Sequence, residues 1–196
     1  MPLSKRALDD LLRKCCEKHN RIRRLVRTQL EEEIQRAYHG LKISAEPITE
    51  RALQHVDATW APAGRREPFD WRRIDRVGMK SHPRRLDLAL WDGQQLCGLM
   101  MSRLSDRKEW LSITHLEGAP VAHSLKGQLA PVAVVAADIY AALIHEEDEL
   151  GRQPDVRILN PLPQSMAVYE RCGYSKLHVA NGYRFAVFQE KSHDHA

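Results

Sequence analysis

The chain contains no CxxC motif, no internal repeat and no low-complexity segment. No contiguous apolar run approaches the roughly 18 residues of a membrane span, so no membrane association is expected. Its four cysteines, Cys15, Cys16, Cys97 and Cys172, form no even framework. That sets aside a disulfide-stapled secreted scaffold and points to reduced thiols and a cytoplasmic setting. Charges interrupt every apolar stretch of the opening MPLSKRALDDLLRK, which does not read as a signal peptide. The 10 histidines show no HxxxH spacing and no Cys/His cluster, and His193 and His195 lie in the terminal KSHDHA. No metal site is expected. No RNA-binding or helix-turn-helix signature is visible.

What is present is an ordinary globular balance over 196 residues, 43% hydrophobic and 29% charged. A chain of this length buries roughly 70% of its unfolded surface and needs no staples. The net charge of +4 is unevenly spread: residues 1–85 hold 20 Lys/Arg against 12 Asp/Glu, and residues 86–196 hold 10 against 14. A basic half invites a nucleic-acid partner, and two solvated amphipathic helices are the plainer account.

The first 39 residues carry helical spacing. Leu8, Leu11, Leu12, Cys15, Cys16 and His19 form one stripe, with Ser4 as N-cap. Ile22, Leu25, Val26, Leu30, Ile34, Ala37 and Tyr38 continue it to a stop at Gly40. One long helix or a hairpin broken near Asn20 both fit. Arg21, Arg23, Arg24 and Arg27 fall mostly on the polar side. A short strand near Leu41–Ser44, a helix from Thr49 to Trp60, a loop over 61–68 and a short helix over 70–77 follow.

From Arg85 the period changes to two. Leu86, Leu88 and Leu90 alternate with Asp87, Ala89 and Trp91, then Asp92-Gly93 makes a hairpin turn into 95–104. A third strand runs over 110–116. After a loop over 117–130, residues 131–145 are apolar nearly all round, as in a buried helix that Pro131 opens. A strand over 156–159, a helix over 164–172 stopped by Gly173, and a hairpin turning at Asn181-Gly182 complete the order.

The segment Ala167-Val168-Tyr169-Glu170-Arg171-Cys172-Gly173-Tyr174, led in by Asn160-Pro161-Leu162-Pro163-Gln164, resembles a late "lYeklGF" segment of the GNAT superfamily of acyl-CoA-dependent N-acyltransferases. The order of elements from Arg85 is similar to that family's as well, and the resemblance covers about residues 85–190. It implies an α/β fold of α+β type: a mixed, mostly antiparallel sheet of about six to seven strands flanked by helices. Residues 1–40 would be an N-terminal helical extension and 41–196 the acyltransferase-like domain.

The resemblance also implies site residues. The loop Leu125-Lys126-Gly127-Gln128-Leu129-Ala130, running into a helix N-terminus, would cradle the pyrophosphate of acetyl-CoA through N–H groups and the helix dipole. The family pattern Q/R-x-x-G-x-G/A is met at Gly127, whereas Ser124 and Leu129 stand at its first and last positions and Pro131 removes one donor. Lys126 adds a charge there.

Tyr169 would protonate the departing thiolate, a phenol being protonated at neutral pH, or else pack its helix on the sheet. Glu117 is the first choice of general base for the acceptor amine, acting directly or through water, and His115 the second. Strand alternation puts both on one face. Asn160 would bond the pantetheine or order a water, or form an Asx turn before Pro161. Cys172 reads as core rather than nucleophile, since direct transfer needs no covalent enzyme.

The expected function is therefore acetyl transfer from acetyl-CoA to an amine on a small molecule, a peptide or an RNA-linked acceptor such as an aminoacyl-tRNA. The alternative is a nucleic-acid-binding or regulatory protein with a degenerate acyltransferase fold. The N-terminal helices could equally seat a second copy of the chain as a homodimer.

Overall fold

The computed structural model describes residues 5–61, 64–65, 68–81, 83–180 and 182–189. Ser4, Asn181 and the terminal histidines lie outside them.

Helix α1 (Lys5–Ala37) is continuous for 33 residues, and Asn20 does not break it. His19, Ile22, Val26, Leu30 and Ile34 are buried at the 3–4 spacing of one helix face. The expected stripe before His19 is not packed: Leu11 and Leu12 are 52% and 50% exposed, because the helix runs on past the sheet it covers. The chain leaves α1 at Gly40, whose φ of +90° suits glycine.

Strands β1 (Ile43–Glu46), β2 (Arg85–Asp92), β3 (Gln95–Leu104), β4 (Trp110–Gly118), β5 (Asp155–Leu159), β6 (Lys176–Ala180) and β7 (Tyr183–Val187) form one sheet. Its order is β1-β2-β3-β4-β5-β7-β6. Every pairing is antiparallel except β4 with β5. This is the mixed, mostly antiparallel sheet expected from the sequence.

Each face of the sheet has its own core. Leu86, Leu88, Leu90, Met100, Leu104, Leu111, Ile113, Val156 and Ile158 meet α1 and helix α4 (Leu129–Glu147). Ala89, Trp91, Leu99 and Met101 meet helices α2 (Glu50–Thr59) and α3 (Trp71–Ser81). The alternation in β2 thus divides between two covered faces, which is why nearly every residue of that strand is buried.

Residues 1–40, expected as an N-terminal helical extension, place Ile22, Val26, Leu30 and Ile34 in the same core as α4 and the sheet. Each fully buried aliphatic side chain is worth about 1.5–3 kcal/mol, so a chain starting at Gly40 would lose its own core. Helix α4 is long and apolar enough to cross a membrane by length and composition, although no contiguous run suggested it. Its apolarity is used inside the fold, where Val132, Ala136, Tyr140 and Ile144 are buried between α1 and the sheet. The segment over 164–172 is a 3-10 turn (Pro163–Ser165) followed by a short helix α5 (Met166–Arg171).

Part of the charge of the basic half is paired. Arg13 pairs with Asp10 and Glu17, Arg72 with Glu50 and Asp57, and Arg85 with Asp75 and Asp87. Lys18 and Arg21 reach across to Asp148 and Glu147 of the acidic half. Arg23 is spent on the carbonyls of Pro83 and Arg85.

Candidate active site

The parallel β4–β5 pairing is short. It joins Trp110–Ile113 to Asp155–Ile158, whereas β4 continues to Gly118 with β3 as its neighbour. A bulge at Thr114 shifts the β3–β4 register just where the pairing with β5 stops. Beyond β5, Asn160 takes a φ of +47° and Pro161 offers no N–H, so the chain turns away. The β5-facing edge of Thr114–Gly118 is left without a strand neighbour among the described residues. An open strand edge of this kind can take an extended ligand.

On the α1/α4 face the opening lies beside the loop that leads into α4. Gly127 has a φ of +82°, and the amides of Lys126 and Gln128 are used in turns to His123 and Leu125 carbonyls. A helix leaves its first N–H groups without an internal partner, here those of Leu129 and Ala130. The structure accommodates the bulky Leu129 at the start of α4. Gly98 and Gly118 face each other across β3 and β4, and a Cβ on Gly98 would lie 2.5 Å from Leu129 Cδ1. The Leu129 side chain fills that notch in the sheet.

Next to this loop is a groove of about 360 Å³ between α4 and α5, with Pro131, Val134, Val135, Val168, Arg171 and Cys172 among its walls. Its apolar floor, its cation at Arg171 and the amides at its end match the parts of a phosphorylated pantetheine chain. Arg171 and Val168 went unmarked in the sequence reading, although both stand inside the segment that carried the resemblance.

Tyr169 is buried in the core of this face, and burial pushes its phenol up to about 12. Its hydroxyl makes no hydrogen bond among the described residues. Cys172 is half-buried, and burial raises its thiol as well, which disfavours the thiolate. Asn160 closes the sheet: its Oδ1 accepts from the Arg184 amide at 3.1 Å and its own amide donates to the Arg184 carbonyl.

On the opposite face, β4 carries His115 and Glu117 as alternation required, but the two are treated differently. Arg65 donates to both oxygens of Glu117, Nε to Oε1 at 2.5 Å and a terminal nitrogen to Oε2 at 2.7 Å. Trp71 Nε1 donates to Oε2 at 2.7 Å, and the Arg65 and Glu117 side chains are each only 9% exposed. Three of about four lone-pair positions are therefore taken. Glu117 clasps the segment before α3 to the end of β4.

His115 is half-buried beside the edges of Phe69 and Trp71, at ring separations of 5.1 and 6.2 Å. Desolvation lowers its pKa, so the imidazole is neutral at pH 7. Thr114 Oγ1 donates to the Met101 carbonyl and so accepts from His115 Nδ1, 3.1 Å away. That fixes the proton on Nδ1 and leaves Nε2 a bare acceptor. His115 lines a cleft of about 470 Å³ against α3, with Ile74, Val77 and Met101.

No protein-family model matches the chain, and no curated protein is significantly similar to it. Solved structures of similar shape include an acetyltransferase from Thermus thermophilus, with 18% identity, a TM-score of 0.48, and coverage of 74% of this chain and 95% of that one. PH1933 from Pyrococcus horikoshii has 13% identity, a TM-score of 0.49, and coverage of 76% and 99%. The PaiA N-acetyltransferase from Thermoplasma acidophilum, solved with coenzyme A, has 11% identity, a TM-score of 0.46, and coverage of 75% and 98%. All three scores lie below 0.5, and the functional reading rests on the residues themselves.

Proposed function

We propose that the chain is an acyl-CoA-dependent N-acyltransferase that moves an acetyl group from acetyl-CoA directly to an amine. The observation that carries this reading is the unpaired β4 edge, with a groove fitted to a phosphorylated thiol carrier on one face and a neutral histidine in a cleft on the other. Acetyl transfer needs the two substrates to meet at such an edge without water between them.

The loop amides near Gly127 and Leu129, with Lys126 and Arg171, would hold the phosphates, and the walls at Val134, Val135 and Val168 the apolar arm. His115 Nε2 takes the proton of the acceptor ammonium, which an amine of pKa near 10 retains at pH 7. Tyr169 donates its proton to the departing thiolate. Glu117 acts through others: it holds Trp71 against the His115 ring and Arg65 in place. The base role thus passes from Glu117, the first choice from sequence, to His115.

Release of free thiol from acetyl-CoA in the presence of a mixed amine pool, together with calorimetric binding of acetyl-CoA, tests the reading. Micromolar binding and amine-dependent thiol release are expected, and absence of both defeats it. The nucleic-acid alternative predicts tRNA or duplex binding that weakens steeply with salt. Part of the charge on α1 and α3 is already taken up in ion pairs, at Arg13, Lys18, Arg21 and Arg72, and salt-independent or absent binding defeats that alternative.

A further inference from the structure

The sheet face that carries His115 continues beyond α3 as an uncovered surface over β4, β5 and β7. A second cleft of about 500 Å³ lies there, and Thr114 and Arg103 line both it and the His115 cleft. The two form one trench.

At the far end of that trench is Arg157. Its guanidinium sits 4.4 Å from the centre of the Trp110 ring and 4.8 Å from that of Phe185, and its Nε donates to Ser112 Oγ at 2.7 Å. Phe185 is in turn stacked on His178. No carboxylate pairs with Arg157 among the described residues. Desolvation alone perturbs it, pulling its pKa down. Burial also lowers Arg27 in α1, where Asp87 and Glu31 oppose the shift in part. Arg157 has no such offset. Asp106 and Glu109 stand on the exposed rim of the cleft with Arg107.

A cation half-withdrawn from water, flattened between two rings and held at Nε, has its two terminal nitrogens presented as a fork. That fork matches a planar oxyanion bidentately. Leu159 and Tyr183 give the cleft apolar walls for a carbon chain.

We propose that this cleft binds the carboxylate of the acceptor, so that the amine acetylated belongs to a small amino acid or peptide-like molecule whose two ends are well separated. The identity of the acceptor rests on the acyltransfer reading, whereas the anion site does not. The separation follows from register. Arg157 is paired with Ser112, and His115 is three residues further along β4, about 7–10 Å at strand rise. An α-amino acid is too short for both ends, and a chain of five or six carbons between amine and carboxylate spans them.

The test uses the full chain with hexanoate, hexyl phosphate, 6-aminohexanoate and hexylamine as probes. Calorimetry should show hexanoate binding that weakens about tenfold or more in Arg157→Met and less in Arg157→Lys, the size expected for a charge-assisted bidentate contact. With acetyl-CoA present, kcat/KM for 6-aminohexanoate should exceed that for hexylamine about tenfold or more, mainly through KM. In Arg157→Met that ratio should fall toward one. Should Arg157→Met fail to fold, Ser112→Ala, which frees the guanidinium, should still weaken hexanoate binding severalfold.

Wild-type protein that binds no hexanoate, or that acetylates both amines equally, overturns the carboxylate site and leaves acyl transfer standing. Arg157-dependent hexanoate binding with neither amine acetylated keeps the site and defeats acyl transfer. Hexyl phosphate binding more than tenfold tighter than hexanoate overturns the assignment to a carboxylate.

Discussion

The two faces of the β4 edge are built by different means. On the α4 face the end of the groove is shaped by backbone: the turn at Gly127, the first-turn amides of α4, and a notch between two glycines that seats Leu129. On the α3 face the site is made of side chains held by other side chains: Glu117 by Arg65 and Trp71, His115 by Thr114, Arg157 by Ser112 and two rings. A backbone site serves a carrier common to many reactions. A side-chain site is easily rebuilt and so can select one acceptor. The contrast predicts that substitutions on the α3 face alter chemistry and choice, and that those on the α4 face alter carrier affinity.

The largest effect should come from His115. His115→Gln is expected to lower kcat about 10²–10⁴-fold and to remove the acidic limb of the pH–rate profile, which in the wild type falls below the ordinary histidine range. Tyr169→Phe should lower kcat at the other step, with a much smaller change in acetyl-CoA affinity. Glu117→Gln should behave differently from both. It leaves the buried Arg65 charge without its counter-ion, at about 3 kcal/mol in denaturant titration, while the acidic limb survives. Loss of that limb in Glu117→Gln would return the base role to Glu117.

The α4 face has its own weak point. Between α1 and α4, the buried His19 Nδ1 meets the Tyr140 hydroxyl at 2.9 Å, and burial lowers His19 to about 4. The folded state resists a proton that the unfolded chain accepts from about pH 6.5 downward. The stability is therefore present above pH 6.5 and lost as pH falls toward 4. By pH 5 the loss is about 2 kcal/mol, visible in melting curves and largely absent in His19→Gln. The smallest effect is expected at Gly98→Ala. It should expel Leu129 from its notch and weaken acetyl-CoA binding about tenfold, and a second change, Leu129→Ala, should restore most of it.

Much of this fold is legible in the residue pattern. The two-residue alternation of Leu86, Leu88 and Leu90, the Asp92-Gly93 turn and the all-apolar α4 place their elements because local backbone geometry and burial period depend on neighbours in sequence. The same pattern misjudged the start of α1. A helical stripe says that a face is apolar, not that anything lies opposite it, and Leu11 and Leu12 are left half exposed.

The candidate site divides along the same line. The shared face of His115 and Glu117 and the positive φ at Gly127 were readable because strand alternation and turn chemistry are local. The choice between His115 and Glu117 was not, since it turns on Arg65, 52 residues from Glu117. Arg157 carries no motif, and only the pairing of β4 with β5 sets it beside Ser112, 45 residues away. Leu129 reads as a defect in the loop until Gly98 and Gly118 are seen to make room for it.

The sequence by itself determined the order of the elements, because turns, periods and caps act over a few residues, and its resemblance to a known family implied the mixed sheet they form. Tertiary structure alone decided which carboxylate is locked, which imidazole nitrogen is bare and which cation meets no carboxylate among the described residues. Those are properties of pairs distant in the chain, and hydrogen bonding, desolvation and charge act across space.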